Sequence, residues 1–546
     1  MAEVTRRGVL AGAAALGGTA AGLGAPGLAT PAAAATVAAA GARTAAEAVP
    51  PPLGPVTAGP DDLRYRSLTH RGCNARFAGT PDYVRVAGST EQVVDAVQQA
   101  VREGRRIAVR SGGHCFENFV DDSAVRVLID VSPMTAVYYD AGRRAFAVEP
   151  GASLGEAYRR LFLGWGVVIP AGATAEVGVG GHVLGGGYGA LSRRYGLAVD
   201  HLYAVEVVVV NKRGEASAVV ATREADDPHR DLWWAHTGGG GGNFGIVTRY
   251  WFRSPGAEGS DPARLLPRAP SSALTFSASW SWKDLDKASF TRLVRNHGGW
   301  YEHNSAPGSA YAGLFSVFML NGRKSGTIDL VGTLDPTGSR AERLVDDYVA
   351  AVGRGVRAKP TRSREEQPWL QAAANVQETP PAFFKAKAGY LRKRFTDRQA
   401  DALHDHLGGT EGGRISGSVW LVSYGGEVAT VAPDATAVAQ RDSVLKAVYL
   451  TGWDDPRDEE RSLSWVRGLY RAVYADTGGV PVPGAVSDGS FINYPDTDLA
   501  DPALNTSGTP WQTLYYKQHY PRLQQVKARW DPRDEFRHAL SVRLPR

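Results

Sequence analysis

Glycine in this chain is clustered, and the clusters constrain what it can fold around. Arg110-Ser111-Gly112-Gly113-His114 ends a short apolar run with a turn almost bare of side chains. Gly178-Val179-Gly180-Gly181-His182 continues through Gly185-Gly186-Gly187-Tyr188-Gly189, and Gly238 to Gly242 leads into Asn243-Phe244-Gly245-Ile246-Val247-Thr248. Residues without Cβ let backbone N–H groups approach a ligand closely, which suits a pyrophosphate. One such run, taken singly, reads equally well as a flexible surface loop. Together with a fourth, C-terminal segment around Asn493-Tyr494, Tyr515-Tyr516 and Arg522 to Lys527, they point to a long dinucleotide lying across several loops. It is not held in a Rossmann manner. No Gly-x-Gly-x-x-Gly opens a helix with an acidic residue about 20 positions on, and no Gly-Lys-Ser/Thr occurs.

Composition excludes several classes. With 43% hydrophobic and 21% charged residues, the chain as a whole fits neither disorder nor a coiled coil. Lys and Arg number 61 against 56 Asp and Glu, so the net charge of +5 is mild. No run of five or six basic residues exists, which argues against nucleic acid. Two cysteines, Cys73 and Cys115, make no disulfide framework and no Cys-rich metal site; they pair with each other or stay as buried thiols. His404 and His406 have a spacing that suits a metal, but their polar, helical surroundings read as surface.

At about 150 residues per domain, 546 residues suggest two to four domains. Residues 1–35 hold Thr5-Arg6-Arg7-Gly8-Val9-Leu10 before a weakly apolar stretch and small residues at Ala33 to Ala35, and they resemble a twin-arginine (Tat) export signal. That implies export of the folded protein through the Tat machinery, to a secreted or extracytoplasmic place, with no stable membrane association. Residues 36–61, with Pro50 to Pro52, Pro55 and Pro60, read as a linker. Ser89 to Gln92 looks like a helix cap before Val93, Val97, Ala100 and Val101. Short strands are expected at Arg106 to Val109, Val125 to Val131, Ala145 to Val148 and Val205 to Val210, with a helix capped by Ser153. Beyond Ser254 the texture changes. Phe276, Ala278, Trp280 and Trp282 alternate with small or polar residues, and Tyr311 to Leu320 with Thr327 to Leu334 reads as a hairpin. Arg414 to Tyr424 is another strand, and Ala341 to Val352 and Leu463 to Ala475 read as helices. This region reads as an antiparallel sheet covered by helices.

The segments Arg110 to His114, Gly178 to Gly189, Gly238 to Thr248 and Asn493-Tyr494 resemble the berberine-bridge-enzyme-like FAD-linked oxidases, of the vanillyl-alcohol oxidase superfamily with its PCMH-type FAD-binding domain. The likeness covers about residue 62 to the C-terminus. It implies an α+β fold: an FAD-binding module of two α+β subdomains at 62–253, a substrate domain with an antiparallel sheet at 254–478, and a segment at 479–546 that returns to the FAD module.

The resemblance also assigns roles. His114 aligns with the histidine that bonds covalently to the flavin. Contacts to FAD are implied for Arg110, Ser111, Gly112, Gly113, Cys115 and Asn118 in the first loop, and for Pro150 and Gly151 after the next strand. Ala171, Gly172 and Thr174 follow. The long run contributes Gly178, Val179, Gly180, Gly181 and His182, then Gly185, Gly186, Gly187, Tyr188 and Gly189. Gly245, Ile246 and Val247, with Asn493 and Tyr494, complete the set. Many relatives carry a second anchor, a cysteine eight residues before the His of Gly-Gly-His. Here that position is Thr174, whose hydroxyl is a poor nucleophile without a dedicated base, so a single covalent link through His114 is expected.

Tyr494 matches the tyrosine that acts as base in alcohol-oxidising relatives, and Tyr424 resembles a second active-site tyrosine and is the expected donor to it. A free phenol has a pKa near 10, so a base role needs a nearby charge or donor. The implied activity is hydride transfer from a secondary or hemiacetal alcohol (of a sugar or a glycosylated or polyketide product) to FAD, with O2 reduced to H2O2. A flavin-dependent oxidative cyclase or oxygenase, an O2-insensitive dehydrogenase and a flavin-carrying binding protein are the alternatives.

Overall fold

The computed structural model describes residues 51–335, 340–373 and 380–546. The expected export signal, and the linker up to residue 50, lie outside them. Within the rest of the expected linker, β1 (Val56–Ala58) pairs antiparallel with β2 (Tyr83–Val86), so the folded chain starts earlier than its prolines suggest.

Three sheets organise the chain. The first, in the order β1-β2-β4-β3, sets β3 (Ile107–Arg110) and β2 parallel to β4 (Val127–Asp130). The helix Thr90–Arg102 links β2 to β3. The Ser89 hydroxyl accepts the Gln92 N–H at 3.3 Å, while Gln92 accepts from Gly88 N–H at 2.8 Å. Val93, Ala96, Val97 and Ala100 form its buried stripe. The second sheet runs β5-β6-β9-β7-β8: Val137–Asp140, Ala145–Val148, Ile246–Phe252, Leu202–Val210 and Ala216–Thr222. Its pairings are antiparallel. Most of β7 is buried, as its valine-rich sequence requires.

The third sheet is antiparallel and has seven strands, ordered β13-β10-β12-β11-β15-β16-β14. These are Thr361–Pro368, Ser272–Ser281, Thr327–Leu334, Leu314–Asn321, Ser416–Ser423, Leu445–Trp453 and Phe383–Leu391. Its register sorts the side chains. Phe276, Trp280 and Phe318 face helices Lys287–Asn304 and Ala341–Val352, where Phe276 meets Tyr348 and Phe318 meets His297. Val317 opposes Val422, and Trp420 opposes Val448, on the other face. That face is one wall of the main cavity. The expected hairpin is present, but its two strands join through a turn of 3-10 helix at Arg323–Ser325.

The C-terminal segment runs back over the first two sheets. Lys527 Nζ donates to the Asn243 carbonyl at 2.9 Å, and the Val542 N–H donates to Asn243 Oδ1 at 2.8 Å. No helix among the described residues is long and apolar enough to cross a membrane.

Candidate functional site

The main cavity, of about 460 Å3, lies between the glycine-rich loops and the apolar face of the seven-stranded sheet. Its floor is backbone. Gly113 is left-handed (φ +76°), and a Cβ there would lie 2.6 Å from the Arg71 carbonyl. Gly112 and Gly178 abut so closely that a Cβ on Gly112 would meet the Gly178 nitrogen at 2.4 Å. Ser111 Oγ donates to the Pro150 carbonyl at 2.6 Å and Tyr250 Oη to the Gly180 carbonyl at 2.7 Å, which fixes both turns. Gly181 lines the cavity and has open space where its Cβ would point. A long group that needs close backbone N–H contact fits this floor, as the pyrophosphate of FAD does.

Most of the expected cofactor residues reach this cavity. Ser111, Gly112, Gly113, His114 and Cys115 line it, as do Pro150, Gly172 and Thr174. From the long run come Gly178, Gly180, Gly181, His182, Tyr188 and Gly189, joined by Gly245, Ile246, Val247, Asn493 and Tyr494. Arg110 is also at the wall, but its side chain is committed elsewhere, to Asp130 at 2.9 Å and to the Leu68 carbonyl.

Others stand behind the wall and support it. A Cβ on Gly151 would collide with the Ser132 carbonyl, and one on Gly187 with Ala198. Gly186 leaves room for Val438, and Gly189, at the wall itself, for the Ala171 carbonyl. Gly185 gives way to Asn493, whose Nδ2 donates to the His182 carbonyl at 2.8 Å. Val179 is core, at the start of the helix Val179–Leu184. Asn118 takes its place in the loop through its N–H, which donates to Glu117 Oε1 at 3.3 Å.

His114 faces the cavity with no hydrogen bond to its ring among the described residues, and burial lowers its pKa. A neutral imidazole with an uncommitted nitrogen is what attachment to an electron-poor ring requires. His182 is different: its Nε2 accepts the Gly172 N–H at 3.0 Å, and burial, assisted by Lys446, lowers its pKa to about 4. It holds the 172–174 turn as a neutral side chain. Cys73 and Cys115 are both free thiols, and burial pushes each up to about 12.

Across the cavity stands Tyr494. Its hydroxyl is 2.7 Å from that of Tyr188, and its ring stacks on Phe116 at 5.4 Å with planes 8° apart. Burial raises its pKa, while the bond to Tyr188 acts in the opposite sense. The expected pairing with Tyr424 is corrected here. Tyr424 lies one ring further back, edge-on to Tyr188 at 6.2 Å and to Tyr390 at 5.4 Å, and off the cavity wall. Tyr188 takes the neighbouring place because the turn at 185–189 projects its ring between the two.

Lys446 is a component that the sequence reading missed. Its Nζ sits 3.3 Å from the centre of the Tyr188 ring, 3.6 Å from that of Phe491 and 4.6 Å from that of Tyr424. Burial lowers its pKa well below the usual lysine value, which favours the neutral amine. It packs on the ring whose hydroxyl meets that of Tyr494. The arrangement suits a tyrosine base with a second tyrosine as its donor. The rest of this side of the cavity is apolar: Phe315, Val317, Phe384, Trp420, Val448 and Leu450.

Comparison with known proteins agrees with this geometry. A family profile described as "FAD binding domain" matches residues 81–216, and one described as "Berberine and berberine like" matches 490–543. The chain is 56% identical over 555 aligned residues to the aclacinomycin-N/aclacinomycin-A oxidase of Streptomyces galilaeus, covering 100% of this chain and 99% of that protein. It is 30% identical to the hexose oxidase of Chondrus crispus, over 89% of this chain and 95% of that one. Among solved structures, a glycopeptide hexose oxidase complexed with teicoplanin superposes with a TM-score of 0.88 at 55% identity, covering 90% of this chain and 99% of that one.

Proposed function

Because the chain belongs to the berberine-bridge-like FAD-linked oxidases, we propose that it oxidises a secondary or hemiacetal hydroxyl of a glycosylated, largely apolar natural product. It is an FAD-linked oxidoreductase acting on CH–OH groups. The observation that carries the finer reading is the pairing of Tyr494 with Tyr188 at the edge of an otherwise apolar wall. Phe315, Val317, Trp420 and Leu450 offer a broad surface to an aromatic aglycone and little to a free hexose. One relative is an aclacinomycin-N/aclacinomycin-A oxidase, and a glycopeptide hexose oxidase was solved in complex with teicoplanin.

In this reading Tyr494 accepts the hydroxyl proton of the substrate, and Tyr188 donates to the phenolate oxygen that Tyr494 presents. Lys446 packs on the Tyr188 ring and holds it in place. Bound FAD supplies the two-electron acceptor for the C–H hydrogen, with O2 as final oxidant and H2O2 as product. His114 is the single covalent anchor, and Thr174 leaves the second anchoring position unused. Thr5 to Leu10 supports export through the Tat route, which carries proteins already folded and loaded.

The test is peroxide release from the purified, flavin-loaded protein across free hexoses, glycosylated aromatic polyketides and glycopeptides. Equimolar ketone or lactone and H2O2 from a glycosylated compound is the expected result. Ring closure without an oxidised carbinol carbon would overturn it in favour of oxidative cyclisation, and slow reoxidation in air would make the enzyme a dehydrogenase.

A further inference from the structure

The loop that carries His114, the segment that carries Tyr494 and the edge strand β14 meet in two layers. Facing the cavity is an aromatic layer. Phe116 stacks on Tyr494 at 5.4 Å and meets Phe384 edge-on at 5.1 Å. Behind it, one residue further along the first loop and the strand, is an ionic layer. Lys385 Nζ lies 2.6 Å from Glu117 Oε2 and 2.8 Å from Asp496 Oδ1. Lys387 bridges Asp496 at 2.6 Å and Asp498 at 2.8 Å, and Arg467 closes the far end on Asp498 at 2.8 Å. Alternation along β14 puts both lysines on the face away from Phe384. Asn74 Nδ2 ties the layers together by donating to the carbonyls of Phe116 at 2.9 Å and Phe384 at 3.1 Å.

This cluster contains equal numbers of acids and bases: Glu117, Asp496 and Asp498 against Lys385, Lys387 and Arg467. All but Arg467 are more than nine-tenths buried. Such a cluster is a poor way to gain stability, since well-packed apolar side chains of similar volume do as well or better. Its asset is direction. Glu117 Oε2 also accepts from the N–H and the hydroxyl of Thr497, both at 3.1 Å, and Asp496 accepts the Asp498 N–H at 3.2 Å. The short chain from Tyr494 to Thr497 is therefore held on the His114 loop by bonds whose geometry is specified. An apolar contact would let the two slide.

We propose that Glu117, Lys385 and Asp496 are positioning residues: the Lys385 ammonium, shared by the two carboxylates, couples the loop of the cofactor anchor to the segment of the base and sets where the Tyr494 hydroxyl stands. None of the three reaches the reacting atoms; they act through Phe116 and through the backbone of residues 494–497. The inference rests on Tyr494 as the base, and extends that reading to the parts that aim it.

The experiment uses the full-length, flavin-loaded protein and four variants: Lys385→Met, Lys385→Arg, Glu117→Gln and, as control, Tyr494→Phe. Anaerobic stopped-flow gives the rate of flavin reduction and the apparent substrate dissociation constant. Thermal melting and the fraction of flavin kept after acid precipitation are read on the same samples. Lys385→Met is expected to slow reduction at least tenfold, with the dissociation constant within threefold of wild type and the flavin still attached. Lys385→Arg, which keeps a forked cation between the carboxylates, should recover to within threefold. Glu117→Gln keeps an acceptor for Thr497 but not the charge, and should slow reduction about fivefold. It also provides the answer if Lys385→Met does not fold. A lower melting temperature with an unchanged reduction rate in both Lys385→Met and Glu117→Gln would overturn the proposal by making the cluster merely structural. An unimpaired Tyr494→Phe would overturn the base assignment itself, a separate failure.

Discussion

The Tyr494 hydroxyl lies 2.7 Å from the Tyr188 hydroxyl, and Tyr188 in turn carries the Lys446 Nζ on its ring face at 3.3 Å. A base, its donor and a buried lysine are thus contributed by the C-terminal segment, the glycine-rich run and strand β16. Replacing Tyr494 by Phe removes the base and leaves the stacking on Phe116. Flavin reduction at saturating substrate should then slow by about 10²–10⁴, the usual worth of a positioned base. The flavin absorbance spectrum should stay close to wild type. Anaerobic stopped-flow reduction measures both.

The donor should set the pH dependence. Burial raises the Tyr494 pKa, so its phenolate is scarce at neutral pH and the reduction rate should climb as pH rises. A hydrogen bond to a charged oxygen contributes about 1.5–3 kcal/mol, or about one to two pH units. Tyr188→Phe should therefore move the rising limb of the rate–pH profile to higher pH by about that amount. A profile unchanged in that variant would remove Tyr188 from the proton transfer.

The cofactor link is tested without turnover. Acid-precipitated wild-type protein should stay yellow, and the peptide that contains His114 should carry the mass of the flavin. His114→Ala should release the flavin into the supernatant. Mass spectrometry of the two digests decides the point.

Stability should fall on the acid side of neutrality. Burial lowers the pKa of His182 to about 4, with Lys446 contributing, and burial lowers His236 to about 4 against a donated backbone bond. Between those values and about 6.5 the unfolded chain binds protons that the folded chain refuses, so stability is lost as pH drops through that window. Each histidine contributes at most about 1.4 kcal/mol per pH unit. Melting temperature from pH 7 to 4.5 should decline, and His182→Gln, which keeps an acceptor for the Gly172 N–H, should flatten part of the decline.

Much of this arrangement was legible in the residues. The glycine runs mark the cavity floor because only residues without Cβ let Gly112 and Gly178 approach as they do. Strand and helix limits followed local pattern closely where the apolar pattern was clear: β6 is found at the apolar run Ala145–Val148, and the helix Ala341–Val352 lies where its spacing puts it. What escaped was pairwise and long-range. Tyr188 and Tyr494 are separated by 306 residues, and nothing local distinguishes Tyr188 from Tyr424 as the nearer partner. Lys446 and the lysines of β14 left a trace. A lone charge in Leu445-Lys446-Ala447-Val448, or two in Phe384-Lys385-Ala386-Lys387, is costly in a buried strand unless something faces it. That trace says a partner exists without naming the aromatic rings around one or the carboxylates around the others.

The bond from Asn493 to the His182 carbonyl, in the space that Gly185 leaves, has a consequence for how the protein is made. Asn493 completes a wall begun 311 positions earlier in the order of synthesis. A nascent chain that has not yet reached Asn493 therefore has a half-built pocket.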